Sequence, residues 1–367
     1  MNSIHHCLLL ITVSLLVAGV TGAWQPAGSL QELYDDTLLP RLRPGVKAAS
    51  FSSYDRTGGN NDGFSGTYSK LREEDGNSVI AEMEGPGCIY RYWTTHSIGE
   101  TPGLLDRKGE HIRIYLDGAD EPALDVPLEH LFDNSLERFP KPLAGQGIGG
   151  YYSYIPIPYR QSCKVVIEGP GVRFYQLNYV TFPDAEGVKT FQMEMTHEEK
   201  EWLHKAVARW SDPLGDLIKT GLAVEIPVSH QPAGGDPVLF SHTLKAESSM
   251  LVHGMTLEGL DDTAVNRNQI EIAFADAPEN TIRLPLAFFM GHAFRPKPFE
   301  SLLFGRVENI YYNRIPFVYT GECTLRIHGI LPVEGKLTVY QSPLNAPVEA
   351  FGMFRAQYYE STPTVPE

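Results

Sequence analysis

The sequence has few cysteines and few basic residues. It contains 4 Cys among 367 residues, too few for a disulfide scaffold. Since no two Cys or His have zinc spacing, the sequence predicts no metal site and no cofactor. The 30 Lys and Arg against 45 Asp and Glu give a formal charge of −15. This charge excludes a nucleic-acid partner, because binding to a phosphate backbone needs clustered cations.

Long apolar runs are also absent after the first 20 residues. The run Cys7 to Val20 is too short to span a bilayer comfortably and precedes Thr21-Gly22-Ala23, small residues that a signal peptidase requires. Residues 1–23 are therefore predicted to be a cleaved signal peptide, so that the mature chain starts at Trp24 and is secreted or periplasmic. No later stretch reaches about 18 apolar residues, so no membrane partner is expected after cleavage.

Turn-forming and aromatic residues are abundant, with 34 Gly, 27 Pro, 18 Tyr and 17 Phe. This composition favours a β-rich globular protein. From Ser78 to Phe182, short apolar runs alternate with Gly, Pro and Asp clusters, a pattern typical of a β-sandwich. Acidity with many aromatics suits an uncharged or cationic ligand such as a sugar, although an acidic surface can serve solubility alone.

The chain contains an internal repeat. Residues 151–167 and 311–327 are identical at seven of seventeen positions at an offset of 160. Upstream, Ile112 and Ile114 correspond to Ile270 and Ile272 at an offset of 158. A repeat of this length is domain-sized, which predicts two β-domains with separate cores. Cys163 and Cys323 occupy equivalent strand positions and are predicted, like Cys88, to be apolar thiols, although the sequence does not settle their pairing.

Two helices are predicted outside the β-domains. Ser29 to Leu39 has Ser29 and Glu32 at capping-box spacing and predicts a short N-terminal helix. Thr196 to Trp210 has the same spacing at Thr196 and Glu199 and predicts a linker helix. The predicted units are residues 1–23 (signal peptide), 24–190 (N-terminal helix, loop and first β-domain), 191–222 (linker helix), 223–345 (second β-domain) and 346–367 (tail).

Four segments of the sequence resemble one protein family. They are FSSYDRTGGNNDG (residues 51–63), EGPGCIYRYWTT (84–95), IRIYLDGADEPALDVPLEHLF (112–132) and YIPIPYRQSCKVVIEG (154–169). Together they resemble domain of unknown function 2961, now glycoside hydrolase family 172. The resemblance implies an all-β tandem jelly-roll sandwich and a homotrimer or higher homo-oligomer with sites near subunit boundaries. It also implies retaining, metal-independent action on α-linked furanosides such as D-arabinofuranosyl or fructofuranosyl chains.

The sequence departs from the family at one place. Family members carry a Gly-Thr-Gly-x-Glu-Asp-Tyr segment in the last jelly roll, near which catalytic glutamates are expected, and this sequence has no such segment. The repeat places Ala287 where the first domain has Glu129, and an alanine cannot protonate a leaving group. Two alternatives follow from the resemblance: the chain is the amino-terminal half of a family enzyme, or a member that has lost catalysis.

Retaining glycoside cleavage needs two carboxyl groups about 5 to 5.5 Å apart. Glu129, which follows a strand, and Asp62 are the candidate catalytic pair, although Glu129 can equally be a solvated acid on a helical turn. The polar loop from Asp55 to Asp62 is the best binding candidate, with a structural Asx-turn loop as the alternative. The candidate substrate-binding residues are Asp55, Arg56, Asn60, Asn61, Asp62, Glu84, Arg91 and Trp93.

Trp93 beside Arg91 suits a stacking platform for a sugar ring, but strand alternation favours core packing for the aromatic. Three functions therefore stay open on the sequence. They are a secreted furanoside hydrolase or transglycosidase, a non-catalytic sugar-binding module, and a capsid-like protein that only assembles.

Overall fold

The structure is a computed structural model. It describes residues 28–95, 110–147, 149–169, 171–230, 238–292, 299–329 and 333–359. The predicted signal peptide, residues 1–23, lies outside these ranges, as does the end of the predicted tail.

The first β-domain contains strands β1 to β11. They are Lys47–Ser52, Arg72–Glu74, Asn77–Glu84, Gly87–Thr94, His111–Leu116, Leu124–Pro127, Ala144–Gly147, Gly150–Ser153, Ile157–Tyr159, Ser162–Ile167 and Tyr175–Thr181. One sheet has the order β1-β11-β4-β8-β7, with β9 also paired to β4, and the other has the order β2-β3-β10-β5-β6. Strand β1 packs against β3, which brings the two sheets face to face as a sandwich.

The second β-domain contains strands β12 to β21. They are Leu222–His230, Val238–Lys245, Met250–Glu258, Gln269–Phe274, Ile282–Pro285, Phe304–Val307, Ile310–Asn313, Phe317–Tyr319, Glu322–His328 and Val333–Pro343. One sheet has the order β12-β21-β14-β18-β17, with β19 also paired to β14, and the other has the order β13-β20-β15-β16.

Both sandwiches have jelly-roll topology. In each, the first strand pairs with the last, the chain passes repeatedly from one sheet to the other, and all strand pairs are antiparallel. The two domains also agree in register, since His111 pairs with Pro127 in one and Gln269 with Pro285 in the other. The prediction of an all-β tandem jelly roll is confirmed.

Each sandwich buries its own core between its sheets. Ile112 and Ile114 lie in the first core, and the corresponding Ile270 and Ile272 lie in the second. The alternating pattern of β5 and β15 explains this, because every second side chain of a strand points to the same face. Cys88, Cys163 and Cys323 are buried free thiols.

Helices occupy the linker and two connections of the second sandwich. They are α1 (His197–Ser211), α2 (Pro213–Ile218), α3 (Asp262–Arg267) and α4 (Leu286–Phe289). Helix α1 begins with the predicted capping box: the Thr196 hydroxyl accepts from the Glu199 N–H, and the Glu199 carboxylate accepts from the Thr196 N–H. No helix within the described ranges has the length and apolar character needed to cross a membrane.

The predicted N-terminal helix from Ser29 to Leu39 is not an α-helix. It consists of two short 3-10 turns, Leu30–Leu33 and Asp36–Leu38. The capping box does not form, because the Glu32 carboxylate accepts from the Gly28 N–H and the Tyr90 hydroxyl. The Asp35 carboxylate accepts from the Thr37 N–H and hydroxyl, which turns the chain before a helix can continue.

Candidate functional site

The loop between β1 and β2 is organised by the carboxylate of Asp55. Asp55 is 8% exposed. It accepts from the Thr57 N–H at 2.9 Å, the Thr57 hydroxyl at 2.6 Å and the Asn61 N–H at 3.2 Å. These bonds, the Thr57 hydroxyl first, lower the pKa of Asp55 to about 2. Asp55 is therefore ionised, and its carboxylate already accepts hydrogen bonds from its own loop, as the Asx-turn alternative predicts.

Other predicted residues of this loop are also held by neighbours. The Asp62 carboxylate accepts from the Asp55 N–H at 2.8 Å, and its backbone has a φ of 42°. Asn61 exchanges hydrogen bonds with Ser65. Asn60 and Arg56 are exposed, and the Arg56 guanidinium lies against the ring of Tyr54. The Arg56 Nη groups donate to the carbonyls of Ser52, Tyr54 and Tyr68, so Arg56 is also engaged within the loop region.

Trp93 and Arg91 lie on the outer face of the first sheet. They alternate along β4 with Tyr92, whose side chain belongs to the core. Strand alternation therefore directs both side chains away from the core, and both are partly exposed. The expected core packing of Trp93 does not occur, and its position is compatible with a stacking platform.

A row of polar and aromatic side chains crosses this outer face. Cross-strand pairing places Ser52 beside Gln176, Gln176 beside Trp93, and Trp93 beside Tyr152. Arg91 donates to the side-chain oxygens of Gln176 at 2.9 Å and Asn178 at 3.0 Å. We call Arg91, Trp93, Tyr152, Gln176 and Asn178 the outer-face row.

Glycines let the two aromatic rings of the outer-face row lie close to the backbone. A Cβ atom on Gly150 would lie 2.6 Å from Nε1 of Trp93, and one on Gly147 would lie 3.2 Å from the Tyr152 ring. Both rings are partly exposed, and a partly exposed aromatic ring can stack on a sugar ring.

Sequence reasoning missed Tyr152, Gln176 and Asn178. The signal was present, because Gln176 and Asn178 alternate with buried Tyr175 and Leu177 along β11. Pairing of β11 with β4, which places these amides beside Arg91 and Trp93, could not be derived from the pattern alone.

The predicted carboxylates lie in different parts of the first sandwich. Glu84 ends β3, an eight-residue strand of about 26 Å, at the end opposite to the Asp55 loop. Glu129 follows β6 in a 3-10 turn, Leu128–Leu131, at the same end as the loop. However, β6 lies three strands from β3, about 14 Å, and the loop carrying Asp62 follows β1 above β3. The catalytic roles of Glu129 and Asp62 stay a prediction.

The second sandwich has no carboxylate at the position equivalent to Glu129. Ala287 lies in α4 and is 3% exposed. Asp117 of the first sandwich has a structural role: its carboxylate accepts from the N–H groups of Arg160, Gln161 and Ser162. Across the described residues, no cluster of three His, Cys, Asp or Glu could hold a metal ion.

Comparisons with known proteins add the following. A search among curated proteins gives no match. The major capsid protein P2 of bacteriophage PM2 is a similar structure at 8% identity, covering 80% of this chain and 97% of that chain with a TM-score of 0.21. The CUB1-EGF-CUB2 domain of human MASP-1/3 has 9% identity, covers 80% of this chain and 99% of that chain, and has a TM-score of 0.19. At these TM-scores neither similarity carries an argument.

A protein-family match agrees with the sequence motifs. Residues 44–199 match the family described as GH172 first beta-sandwich domain, and this range contains strands β1 to β11. Residues 44–199 therefore form a glycoside hydrolase family 172 first β-sandwich domain, as the sequence motifs predict.

Proposed function

We propose that this protein binds carbohydrates built from α-linked furanosides, such as D-arabinofuranosyl or fructofuranosyl chains. The observation that carries the proposal is the outer-face row on a glycoside hydrolase family 172 domain. Two partly exposed rings stand side by side in it, and Arg91, Gln176 and Asn178 supply donors and acceptors for hydroxyl groups. The sugar and linkage follow from the family resemblance.

Binding rather than cleavage by a single chain is the function that the geometry supports best. A retaining mechanism needs two carboxyl groups about 5 to 5.5 Å apart. Glu129 follows β6 in one sheet, the loop of Asp62 follows β1 in the other sheet, and Glu84 lies at the other end of the sandwich. In a homotrimer with sites at subunit boundaries, a second chain would supply the second carboxylate.

Calorimetry with arabinofuranosyl and fructofuranosyl oligosaccharides tests the binding proposal. Trp93→Ala removes a stacking ring and is expected to weaken binding about tenfold or more. Each ring–sugar contact contributes on the order of 1 kcal/mol, and loss of the Trp93 ring also leaves the Tyr152 ring without its neighbour. Tyr359→Ala is the matched control, since Tyr359 is 83% exposed and lies outside the outer-face row. Equal affinity of the Trp93 variant and the wild type would refute the location of the site.

Turnover and assembly are tested separately. Release of sugar from α-furanosides that is abolished by Glu129→Gln would support the hydrolase alternative. Light scattering decides whether the chain is a homotrimer or a monomer, and a monomer that still binds sugar leaves the binding function intact while excluding a capsid-like assembly role. Export is tested by sequencing the mature N-terminus, which we expect at Trp24.

A further inference from the structure

Two further aromatic rings continue the outer-face row towards the linker helix. The centroid of the Tyr154 ring lies 5.6 Å from that of Tyr152, and the centroid of the Trp210 ring in α1 lies 5.2 Å from that of Tyr154. Trp93 pairs with Tyr152 across the sheet at the other end. All four side chains are partly exposed. We call Trp93, Tyr152, Tyr154 and Trp210 the aromatic track.

Strand geometry places Tyr152 and Tyr154 on the outer face. Tyr151 packs against the first core and Ser153 is buried, so alternation along β8 directs the side chains of Tyr152 and Tyr154 to the opposite side. The distance between their rings agrees with two side chains that follow each other on one face of a strand. Both rings therefore lie on the surface that carries the outer-face row.

The Trp210 ring is held in place by the N-terminal segment. Its Nε1 donates to the Leu33 carbonyl at 2.8 Å. The neighbouring Arg209 guanidinium donates to the Tyr34 carbonyl, so the end of α1 is tied to this segment at two consecutive residues. A ring whose orientation is already fixed loses little conformational entropy when a ligand stacks on it.

The equivalent positions of the second sandwich are covered. At the repeat offset of 160, Tyr152 and Tyr154 correspond to Tyr312 and Arg314. Both of these are 0% exposed, and Arg314 donates to two groups of α2. Partly exposed rings at these positions are therefore a feature of the first sandwich and not of the fold.

The polar groups of the outer-face row lie at the Trp93 end of the aromatic track. Arg91, Gln176 and Asn178 belong to β4 and β11, beside Trp93. Tyr154 and Trp210 extend the ring surface at the other end. Hydrogen bonds depend on where hydroxyl groups stand, whereas stacking needs only the face of a sugar ring. The Trp93 end is therefore suited to select one sugar unit, and the other end to hold further units.

We propose that the ligand is an oligosaccharide chain that lies along the aromatic track, with one sugar unit at the polar Trp93 end and later units stacked on Tyr154 and Trp210. The inference rests on the proposed function and extends its site. Steps of 5.6 and 5.2 Å between ring centroids are close to the length of one sugar unit in a chain, so the track accommodates about four units.

Calorimetry on the full chain with disaccharides and hexasaccharides of the arabinofuranosyl and fructofuranosyl series tests the extension. In the series that binds, the hexasaccharide is expected to bind at least about tenfold more tightly than the disaccharide. Tyr154→Ala is expected to weaken hexasaccharide binding about fivefold to tenfold and to leave disaccharide binding unchanged. Tyr154→Phe is the matched control, because it keeps the ring and removes only the hydroxyl, and it is expected to bind both lengths like the wild type.

A second variant keeps the test decisive if Tyr154→Ala fails to fold. Trp210→Leu removes the indole ring but keeps apolar surface against the first core, and it is expected to give the same selective loss of hexasaccharide binding. Circular dichroism shows whether each variant is folded.

The outcomes separate the extension from the proposed function. Equal affinity of the wild type for both lengths overturns the extension and leaves the proposed function intact, as does unchanged hexasaccharide binding by folded Tyr154→Ala and Trp210→Leu. Absence of binding at both lengths refutes the two together. An equal loss of disaccharide and hexasaccharide binding in Tyr154→Ala overturns the assignment of the selected sugar unit to the Trp93 end.

Discussion

Arg314 joins the linker to the second sandwich, and its replacement gives the sharpest stability prediction. Its side chain is 0% exposed, its Nη1 donates to the Pro213 carbonyl at 2.6 Å, and its Nη2 donates to the Asp216 carboxylate at 2.7 Å. Both partners belong to α2, whose Leu217 packs against the second sandwich. Arg314→Met removes both bonds and keeps an apolar stem.

The magnitude follows from what each partner loses. Breaking a fully buried ion pair on one side costs about 3 to 5 kcal/mol, but Asp216 is 36% exposed, so water screens its unpaired charge. About 2 kcal/mol then remains for the charge, and loss of the bond to the Pro213 carbonyl adds about 1 kcal/mol. We expect Arg314→Met to lower the free energy of unfolding by about 3 kcal/mol. Asp216→Asn keeps an acceptor oxygen and is expected to cost about 1 kcal/mol.

Urea unfolding followed by circular dichroism measures these changes, with each transition fitted separately because a chain with two cores need not unfold in one step. Arg355→Met replaces an exposed arginine and is expected to stay within about 0.5 kcal/mol of the wild type. A loss below about 0.5 kcal/mol in Arg314→Met would refute the reasoning. So would strict additivity with Asp216→Asn, because residues in contact are expected to couple by about 0.5 kcal/mol or more.

Two further predictions concern ionisable groups. Hydrogen bonds from Thr57 lower the pKa of Asp55 to about 2. The stabilisation that the Asp55 carboxylate gives the loop is therefore complete above about pH 4 and is lost as pH falls towards 2. Asp55→Asn is expected to speed amide hydrogen exchange in the loop at neutral pH, and unchanged exchange would contradict this prediction. Burial raises the pKa of the thiols of Cys88, Cys163 and Cys323. A thiol reagent is therefore expected to label none of the three in the folded chain at pH 8 and all three in urea. Labelling of the native protein would contradict this prediction, because it would show that a thiol is accessible.

The strands of the first sandwich were predictable because their pattern alternates. Ile112 and Ile114 point to the core at every second position of β5, and the turns between strands are marked by Gly, Pro and Asp. The linker helix was equally predictable, since Thr196 and Glu199 form a cap from residues within one turn. Local interactions decide both features, so a local pattern reveals them.

Features that depend on tertiary partners were not predictable. Glu32 has capping-box spacing, but its carboxylate accepts a hydrogen bond from the hydroxyl of Tyr90, a residue 58 positions away. Arg138 has no sequence signal at all, because its burial depends on α1 docking beside it and supplying Glu199. For Trp93, alternation separates two faces of a strand but does not say which one packs inside.

Equivalent positions of the two sandwiches explain why the outer-face row belongs to the first one. Tyr152 and Tyr312 stand at the same place in β8 and β18, at the repeat offset of 160. Tyr312 is 0% exposed, because Leu214 and Leu217 of α2 cover it. Tyr152 is partly exposed beside Trp93. Helix α2 thus covers this position in the second sandwich, whereas the Tyr152 ring of the first sandwich stays partly exposed. A partly exposed ring beside paired polar groups is available to a sugar.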